Sequence, residues 1–104
     1  TMPTVIFLTR LREGVEPSEY EDWLRKFDYP TAQSIPSIIS YRTHRIVRPF
    51  MAADAHYDYF EVVEVTDIDD YRRELDELPQ AQELRRQIVK YLEPSDNYWG
   101  HYVE

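Results

Sequence analysis

The sequence predicts a single α+β domain, in which helices cover one face of a four-stranded antiparallel sheet. Four short segments rich in β-branched and aromatic residues are typical of strands, and two segments with apolar residues three or four positions apart are typical of helices. Their order is strand, helix, strand, strand, broken helix, strand, which is the ferredoxin-like βαββαβ arrangement. A chain of 104 residues and 12.6 kDa has room for one core, so we assign residues 1–104 to one domain.

The first strand and the first helix are predicted from residues 4–30. Residues 4–11 are rich in β-branched side chains and apolar on both faces, as in a central strand. Ser18 with Glu21 forms a capping box that would begin a helix. Pro30 disfavours helix at the residue before it, so we expect the helix to end at Asp28-Tyr29-Pro30. The apolar stripe of this helix contains Tyr20, Trp23, Leu24 and Phe27.

Two strands in the middle of the chain alternate between apolar and polar side chains. The second strand is predicted over residues 37–47 and the third from His56 or Tyr57 to Val65, with a loop at residues 48–55. One face of the second strand would carry Ile39, Tyr41 and Thr43, and the other Ser40, Arg42 and His44. Which of these faces lines a cavity is left open, because a shift of one residue exchanges them.

The last part of the chain predicts a helix in two pieces and a final strand. Thr66 with Asp69 would cap the helix, and Pro79 would break it. Residues 97–103 contain four aromatic side chains, counting His101, and would form the last strand. The apolar stripes of the two helical pieces contain Ile68, Tyr71, Leu75 and Leu78, then Ala81, Leu84, Ile88 and Leu92.

The first strand also predicts a homodimer. Helices cover one side of a sheet, yet this strand is apolar on both sides, and large exposed apolar faces are rare on monomers. A second copy packed sheet to sheet with two-fold symmetry would cover the remaining face.

Composition excludes several classes of function. Twenty acidic against twelve basic residues give a net charge of −8, which disfavours nucleic acids and anionic membranes as partners. The chain has no cysteine, and its apolar run near the N-terminus, residues 5–8, is too short for a leader or a membrane span. With only two glycines, no glycine-rich phosphate loop can form, and we expect no cofactor. We expect a soluble, cytoplasmic protein whose acidic clusters lie on a solvated surface, namely Glu19-Glu21-Asp22, Asp67-Asp69-Asp70 and Glu74-Asp76-Glu77.

Three residues are candidates for proton transfer. His44 lies beside Arg42 and Arg45, whose charges favour the neutral imidazole that a general base needs. Asp28 and Tyr29 follow the predicted helix, whose dipole makes ionisation of a carboxyl at that end more costly. Asp28 would exchange protons with His44 or with a substrate. For each residue the alternative is an ordinary surface or helix-end position.

Further residues are candidates for binding a flat aromatic substrate. Aromatic side chains are more numerous than a small core needs, and they would either line a pocket by stacking or fill the core. No spacing brings His44, His56 and His101 together, so no metal site is predicted. The predicted binding residues are Trp23, Tyr41, Arg42, Trp99 and His101.

Several stretches of the chain resemble the RedY-like (HapK) family, whose members are encoded in biosynthetic clusters for prodigiosin-type tripyrrole pigments. The resemblance rests on residues 4–15, Tyr20-Glu21-Asp22-Trp23, residues 28–32, Pro36-Ser37-Ile38 and residues 40–46. It implies a dimeric α+β barrel, in which two ferredoxin-like sheets close face to face. Proteins of that architecture include cofactor-free monooxygenases, polyketide cyclases, lactone isomerases and haem-degrading enzymes, so the fold does not choose a reaction.

The resemblance implies a role in making or handling the bipyrrole part of a pigment. Our leading hypothesis is a cofactor-free cyclase, isomerase or dehydratase that acts on a pyrrole- or indole-like intermediate. The alternatives are a non-catalytic carrier or chaperone for such an intermediate, a cofactor-free monooxygenase-like dimer, and a dimer with no small-molecule site. Haem degradation is a weaker alternative, because no histidine has the sequence context of a proximal ligand.

Overall fold

The sheet has the predicted four antiparallel strands. In the computed structural model, which describes residues 2–104, the strands are β1 (Thr4–Thr9), β2 (Ile38–Arg45), β3 (Tyr59–Val65) and β4 (Asp96–Gly100). Their order in the sheet is β2-β3-β1-β4, and each neighbouring pair is antiparallel. This is the order of a ferredoxin-like α+β fold, so the predicted fold class is confirmed.

The helices form two groups, one in each half of the chain. The first group runs without a break through α1 (Pro17–Trp23), a π-helical segment (Leu24–Asp28) and α2 (Tyr29–Gln33). The second is the predicted broken helix, seen as α3 (Ile68–Glu77) and α4 (Pro79–Ile88). None of the helices within residues 2–104 combines the length and the apolar character that crossing a membrane requires.

The first helix does not end at Pro30, as the sequence predicted. The Tyr29 N–H donates to the Leu24 carbonyl five residues earlier, which is the wide π-type turn. Proline is tolerated in the first turn of a helix, and Pro30 lies there at the start of α2. The wide turn therefore carries the helix past the proline and adds a turn that ends at Gln33.

Both predicted helix caps lie at other residues. Glu16 caps α1 without a side-chain hydrogen bond and Pro17 begins it, so Ser18 already lies inside the first turn. At α3 the cap is Asp67, not Thr66, and its carboxylate accepts a hydrogen bond from the Asp70 N–H at 2.9 Å.

All four strands are shorter than predicted. Beyond Thr9 the chain turns away, and the Leu11 N–H donates to the Asp58 carboxylate at 2.8 Å instead of to a neighbouring strand. The register of β2 against β3 shifts between Ile38 and Ser40, so that Ile39 is an extra residue. Because of this bulge, Ile38 pairs with Val65 and Tyr41 pairs with Val63. Val63 and Val65 are fully buried. The bulge thus explains the imperfect alternation of β2.

The two faces of the sheet differ in burial. On β3, the alternate residues Tyr59, Glu61, Val63 and Val65 are buried under the helices. We call the opposite side the open face; it includes Ile6, Phe60 and Tyr98, which are 37%, 37% and 63% exposed. The helix side holds two buried clusters, one around Tyr20, Trp23, Leu24, Tyr59 and Leu92 and the other around Val5, Val63, Val65 and Tyr71.

Candidate functional site

A cavity of about 360 Å³ lies between the helix side of the sheet and the helices α2, α3 and α4. Cavities that bind small molecules typically have volumes of roughly 300–1,000 Å³ and mostly apolar walls. Side chains from β1, β2 and β3 and from both helical groups contribute to the walls. The apolar part of the wall includes Phe7, Ile35, Ile38, Leu75, Leu84 and Ile88.

Two carboxyl groups lie at and behind the polar part of this wall. Glu61, on β3, lines the cavity together with Tyr41 of β2. Asp28 is fully buried behind Tyr41, whose hydroxyl lies 3.0 and 2.9 Å from its two carboxyl oxygens and donates to them. Thr43, which pairs with Glu61 across the sheet, donates a hydrogen bond to Glu61 Oε2 at 2.9 Å. Both carboxyls are therefore held by hydroxyl groups and not by cations.

Burial changes the protonation of both acids. Desolvation raises the pKa of Asp28 to about 7, against a smaller opposing effect of the Tyr41 hydrogen bond. The pKa of Glu61 is raised to about 8, mainly by desolvation and further by the negative charge of Asp28, while hydrogen bonds from Thr43 and Tyr41 oppose this rise. Burial thus favours the protonated form of both acids near neutral pH.

The cavity tyrosines remain neutral hydroxyl groups. Desolvation, followed by the nearby charges of Glu61 and Asp28, raises the pKa of Tyr41 and of Tyr71 well above the ordinary value. The Tyr41 hydroxyl donates to Asp28, and Tyr41 lines the same cavity as Glu61, so Tyr41 stands between Asp28 and that cavity. It is therefore suited to relay a proton between them.

Charged side chains occur at the mouth of the cavity. Arg12 is exposed, and its Nε donates to the Val89 carbonyl at 2.5 Å. Arg85 is exposed and lies 3.5 Å from the Asp76 carboxylate, and Glu93 pairs with Arg10 at 3.2 Å. The mouth thus presents both signs of charge to water, whereas the interior presents carboxyls and hydroxyls.

Three further predicted residues lie near the cavity or in the core. Tyr41 lines the cavity. Tyr29 is half-buried beside it, with ring centroids 6.2 Å apart, and its hydroxyl donates to the Thr43 carbonyl at 3.5 Å. Trp23 is part of the buried core, where its indole N–H donates to Gln87 Oε1 at 2.8 Å. Trp23 therefore fills the core and does not line the cavity, which was the alternative considered for the aromatic residues.

The structure does not bring His44 or Arg42 to this cavity. Both side chains lie on the open face, where His44 stacks on Phe60 with ring centroids 4.7 Å apart. Because neighbouring residues of a strand point to opposite sides, Tyr41 and Thr43 face the buried acids instead. The predicted proton exchange between Asp28 and His44 is consequently not available within one chain.

Trp99 and His101 lie together at the edge of the sheet. Their rings form an edge-to-face pair with centroids 5.3 Å apart, and they border a shallow groove with Asp67 and Arg72. This groove is separate from the cavity. Within residues 2–104, no three His, Asp or Glu side chains are grouped so that they could hold a metal ion.

Glu61 was not among the predicted site residues, and the prediction that Glu74 lies on the solvated surface is wrong. Glu61 alternates with Tyr59 and Val63 on the buried side of β3, and this phase was visible in the sequence. Glu74 is buried in α3, where its carboxylate accepts a hydrogen bond from the Ser37 N–H at 2.9 Å. No pattern in α3 predicts that contact, because Ser37 is 37 positions away in the chain.

Solved structures with the same fold include proteins of several kinds. HapK from Hahella chejuensis is 25% identical, with a TM-score of 0.83 over 98% of this chain and 93% of that one. SnoaB from Streptomyces nogalater, described as a cofactor-independent oxygenase, is 16% identical, with a TM-score of 0.76 over 99% and 94%. A dimeric ferredoxin-like protein of unknown function from Thermobifida fusca is 20% identical, with a TM-score of 0.70 over 97% and 92%.

Family membership follows from the sequence itself. No curated protein matches the chain at a significant level. The family model described as "HapK: REDY-like protein HapK", however, matches residues 3–103, which is almost the whole chain. The resemblance found in the sequence is thereby confirmed, and the chain belongs to the REDY-like HapK family.

Proposed function

We propose that the protein is a cofactor-independent biosynthetic enzyme that moves a proton on a small aromatic intermediate held in the cavity. The observation that carries this proposal is the pair of buried carboxyls beside an apolar cavity, whose pKa values burial raises towards neutral pH. Pairs of acids whose environments shift their pKa values are a common basis of general acid–base catalysis.

The residues have distinct roles in this proposal. Glu61 lines the cavity and burial raises its pKa, so it donates a proton to the bound ring as a general acid. Its carboxylate then removes a proton from another position of the same molecule, which completes a tautomerisation or prepares a cyclisation or dehydration. Asp28 acts through the Tyr41 hydroxyl, and Tyr29 positions Tyr41 by packing against it. His44 and Arg42 lie outside this site.

Family membership supports a place for this chemistry in pigment biosynthesis. The RedY-like family is associated with prodigiosin-type pathways, so we propose a bipyrrole- or indole-like intermediate as the substrate. A non-catalytic carrier is the second candidate, and one observation favours it: Asp28 is fully buried behind Tyr41 and does not itself border the cavity. The likeness to SnoaB is a likeness of fold alone.

We also propose that a second copy covers the open face. Ile6, Phe60 and Tyr98 leave apolar surface exposed there, and relatives from Thermobifida fusca and Bacteroides fragilis are described as dimeric. A face-to-face pair of sheets would bury this surface on both subunits.

Hydrogen–deuterium exchange at a ring carbon tests the catalytic proposal. The protein in D₂O, mixed with 2,4-dimethylpyrrole, is expected to accelerate exchange of the ring C–H groups, followed by NMR. Glu61→Gln keeps the shape of the side chain but holds no transferable acid proton, so we expect the acceleration to fall at least about 100-fold.

Glu64→Gln is the matched control, because Glu64 lies on the same strand but on the exposed, open face. It should exchange as fast as the wild type. Exchange that is equal in the Glu61 variant and the wild type would refute the acid role, and binding of the pyrrole without any acceleration would favour the carrier.

A further inference from the structure

The interior of the cavity and its mouth carry different polar groups, and this difference would select among ligands. Its interior polar groups are the carboxyl of Glu61 and the hydroxyls of Tyr41, Tyr71 and Thr9, all of which lie on or beside its walls. Asp28 adds a second carboxyl directly behind Tyr41. The Tyr41 hydroxyl proton is already directed at Asp28, so Tyr41 has an oxygen, and not its proton, to offer a ligand. The interior formed by the described residues thus presents carboxyl and hydroxyl groups and no cation.

The cations near the cavity are held at its mouth. Arg12 and Arg85 are both exposed, and each already has a partner, the Val89 carbonyl and the Asp76 carboxylate. Among the described residues no lysine or arginine pairs with Glu61 or Asp28: the hydrogen bonds to these two carboxyls come from Tyr41 and Thr43. The acid pair consequently has no counter-ion of its own.

We propose that the cavity takes a flat apolar ligand that presents an N–H or O–H donor or a positive charge, and that it rejects ligands carrying a carboxylate or a phosphate. This inference rests on the proposed function, since it names the class of substrate for the same cavity. A donor would pair with Glu61 Oε1, because the hydrogen bond from Thr43 goes to Oε2.

Electrostatics give the reason for the selection. An anion in the cavity would lie beside two acids in a region of low dielectric, where like charges repel far more strongly than in water. It would also be buried without a counter-ion, which is costly. The net charge of −8 adds a weaker repulsion at longer range. A cation or a neutral donor meets none of these penalties.

Four naphthalenes of closely similar shape provide the test. They are 2-naphthol, 2-naphthylmethylammonium, 2-methoxynaphthalene, which lacks a donor, and the anion 2-naphthoate. Binding to the full chain is measured by calorimetry at pH 7.5. We expect the naphthol and the ammonium compound to bind at least about tenfold more tightly than 2-methoxynaphthalene, and 2-naphthoate to bind more weakly than all three.

Three variants locate the effect. Glu61→Gln should reduce the preference for the ammonium over the methoxy compound, whereas Glu64→Gln on the open face should keep it. Leu84→Trp, which fills the cavity, should weaken binding of every probe. A circular-dichroism spectrum and a thermal unfolding curve verify that each variant is folded.

The possible results separate this inference from the proposed function. Binding of 2-naphthoate as tight as that of the naphthol, and sensitive to Leu84→Trp, would overturn the selection while leaving the cavity as a binding site. If Arg12→Gln abolished that naphthoate binding, the ligand class would be anionic and the inference wrong. Correct selection without any ring-proton exchange would uphold the ligand class and refute the catalytic proposal. Binding of all probes unaffected by Leu84→Trp would refute both.

Discussion

Asp28 and Glu61 are 33 positions apart in the sequence, yet both accept hydrogen bonds from side chains of the same strand, β2. Tyr41 holds the first and Thr43 the second, because both side chains point to the helix side of that strand. Since burial favours the protonated acids, the fold holds a proton that an unfolded chain would release near neutral pH. Burying two acids that can still ionise lowers the stability of the folded protein, a cost that is common at functional sites.

The stability of the protein should therefore depend on pH through this pair. In the unfolded chain both acids ionise near pH 4, whereas in the folded chain the raised pKa values delay ionisation to about pH 7–8. The favourable contribution is complete below pH 4 and is lost as the pH rises through 8. Between pH 5 and 8.5, the free energy of unfolding of the wild type should fall by about 2 kcal/mol or more relative to an Asp28→Asn/Glu61→Gln double variant.

Urea unfolding at pH 5, 7 and 8.5 measures this difference. The Glu77→Gln variant should follow the wild type, because Glu77 is exposed on α3, away from the open face. Parallel curves for the wild type and the double variant would contradict the raised pKa values.

Of the two acids, Asp28 could be predicted as a site residue from the sequence, and Glu61 could not. Asp28 stood out because it follows an apolar helical stripe and precedes Tyr29-Pro30. Glu61 has the same two-residue phase as Tyr59 and Val63, but one charged residue in an alternating strand more commonly faces water. Only the pairing of β2 with β3 decides that this phase is the buried one, and strand pairing is a long-range property.

At the scale of single elements, the order of strands and helices was predictable, whereas their ends and the π-helical segment were not. Periodicity extends over many residues and so specifies the type of an element, while an end depends on one or two local hydrogen bonds. The Leu24 to Tyr29 hydrogen bond is one example, since Pro30 by itself predicts a helix end. Asp67, which caps α3 in place of Thr66, is another.

Exchange of the two cap candidates tests which residue begins α3. Asp67→Ala removes the acceptor for the Asp70 N–H and should lower the free energy of unfolding by about 1 kcal/mol. Thr66→Ala is the matched control, because its exposed side chain forms no cap, and it should change stability by less than about 0.5 kcal/mol. Chemical denaturation measures both, and a larger effect at Thr66 would show that the cap is misplaced.

At the scale of the whole molecule, the helices occupy one side of the sheet and leave the open face to be covered. The sequence predicts that β1 is apolar on both sides. In the structure Val5 lies under the helices and Ile6 lies on the open face. His44 stacked on Phe60 lies on this same face, so the proposed second copy would surround it. His44 would thus belong to the subunit contact and not to the cavity.

A charge in the centre of the open face should dissociate the proposed dimer. Light scattering of the wild type is expected to give twice the 12.6 kDa mass of the chain. Phe60→Arg would bury an unpaired cation on both sides of a two-fold interface and should weaken association at least about tenfold. Val89→Arg, at an exposed apolar residue after α4, should leave the mass unchanged. A wild-type chain that scatters as a single copy would refute the dimer.

The π-helical turn that precedes α2 has a consequence for how relatives of this protein are compared. A wide turn of this kind is equivalent to inserting one residue into a regular helix. A homologue whose helix is regular at this point is one residue shorter, and its alignment with this chain needs a gap between residues 24 and 28. Without that gap, every position after the insertion is rotated by about 100° around the helix axis. A carboxylate aligned with Asp28 in that way would point at solvent, and its counterpart in the other chain would be sought at the wrong position.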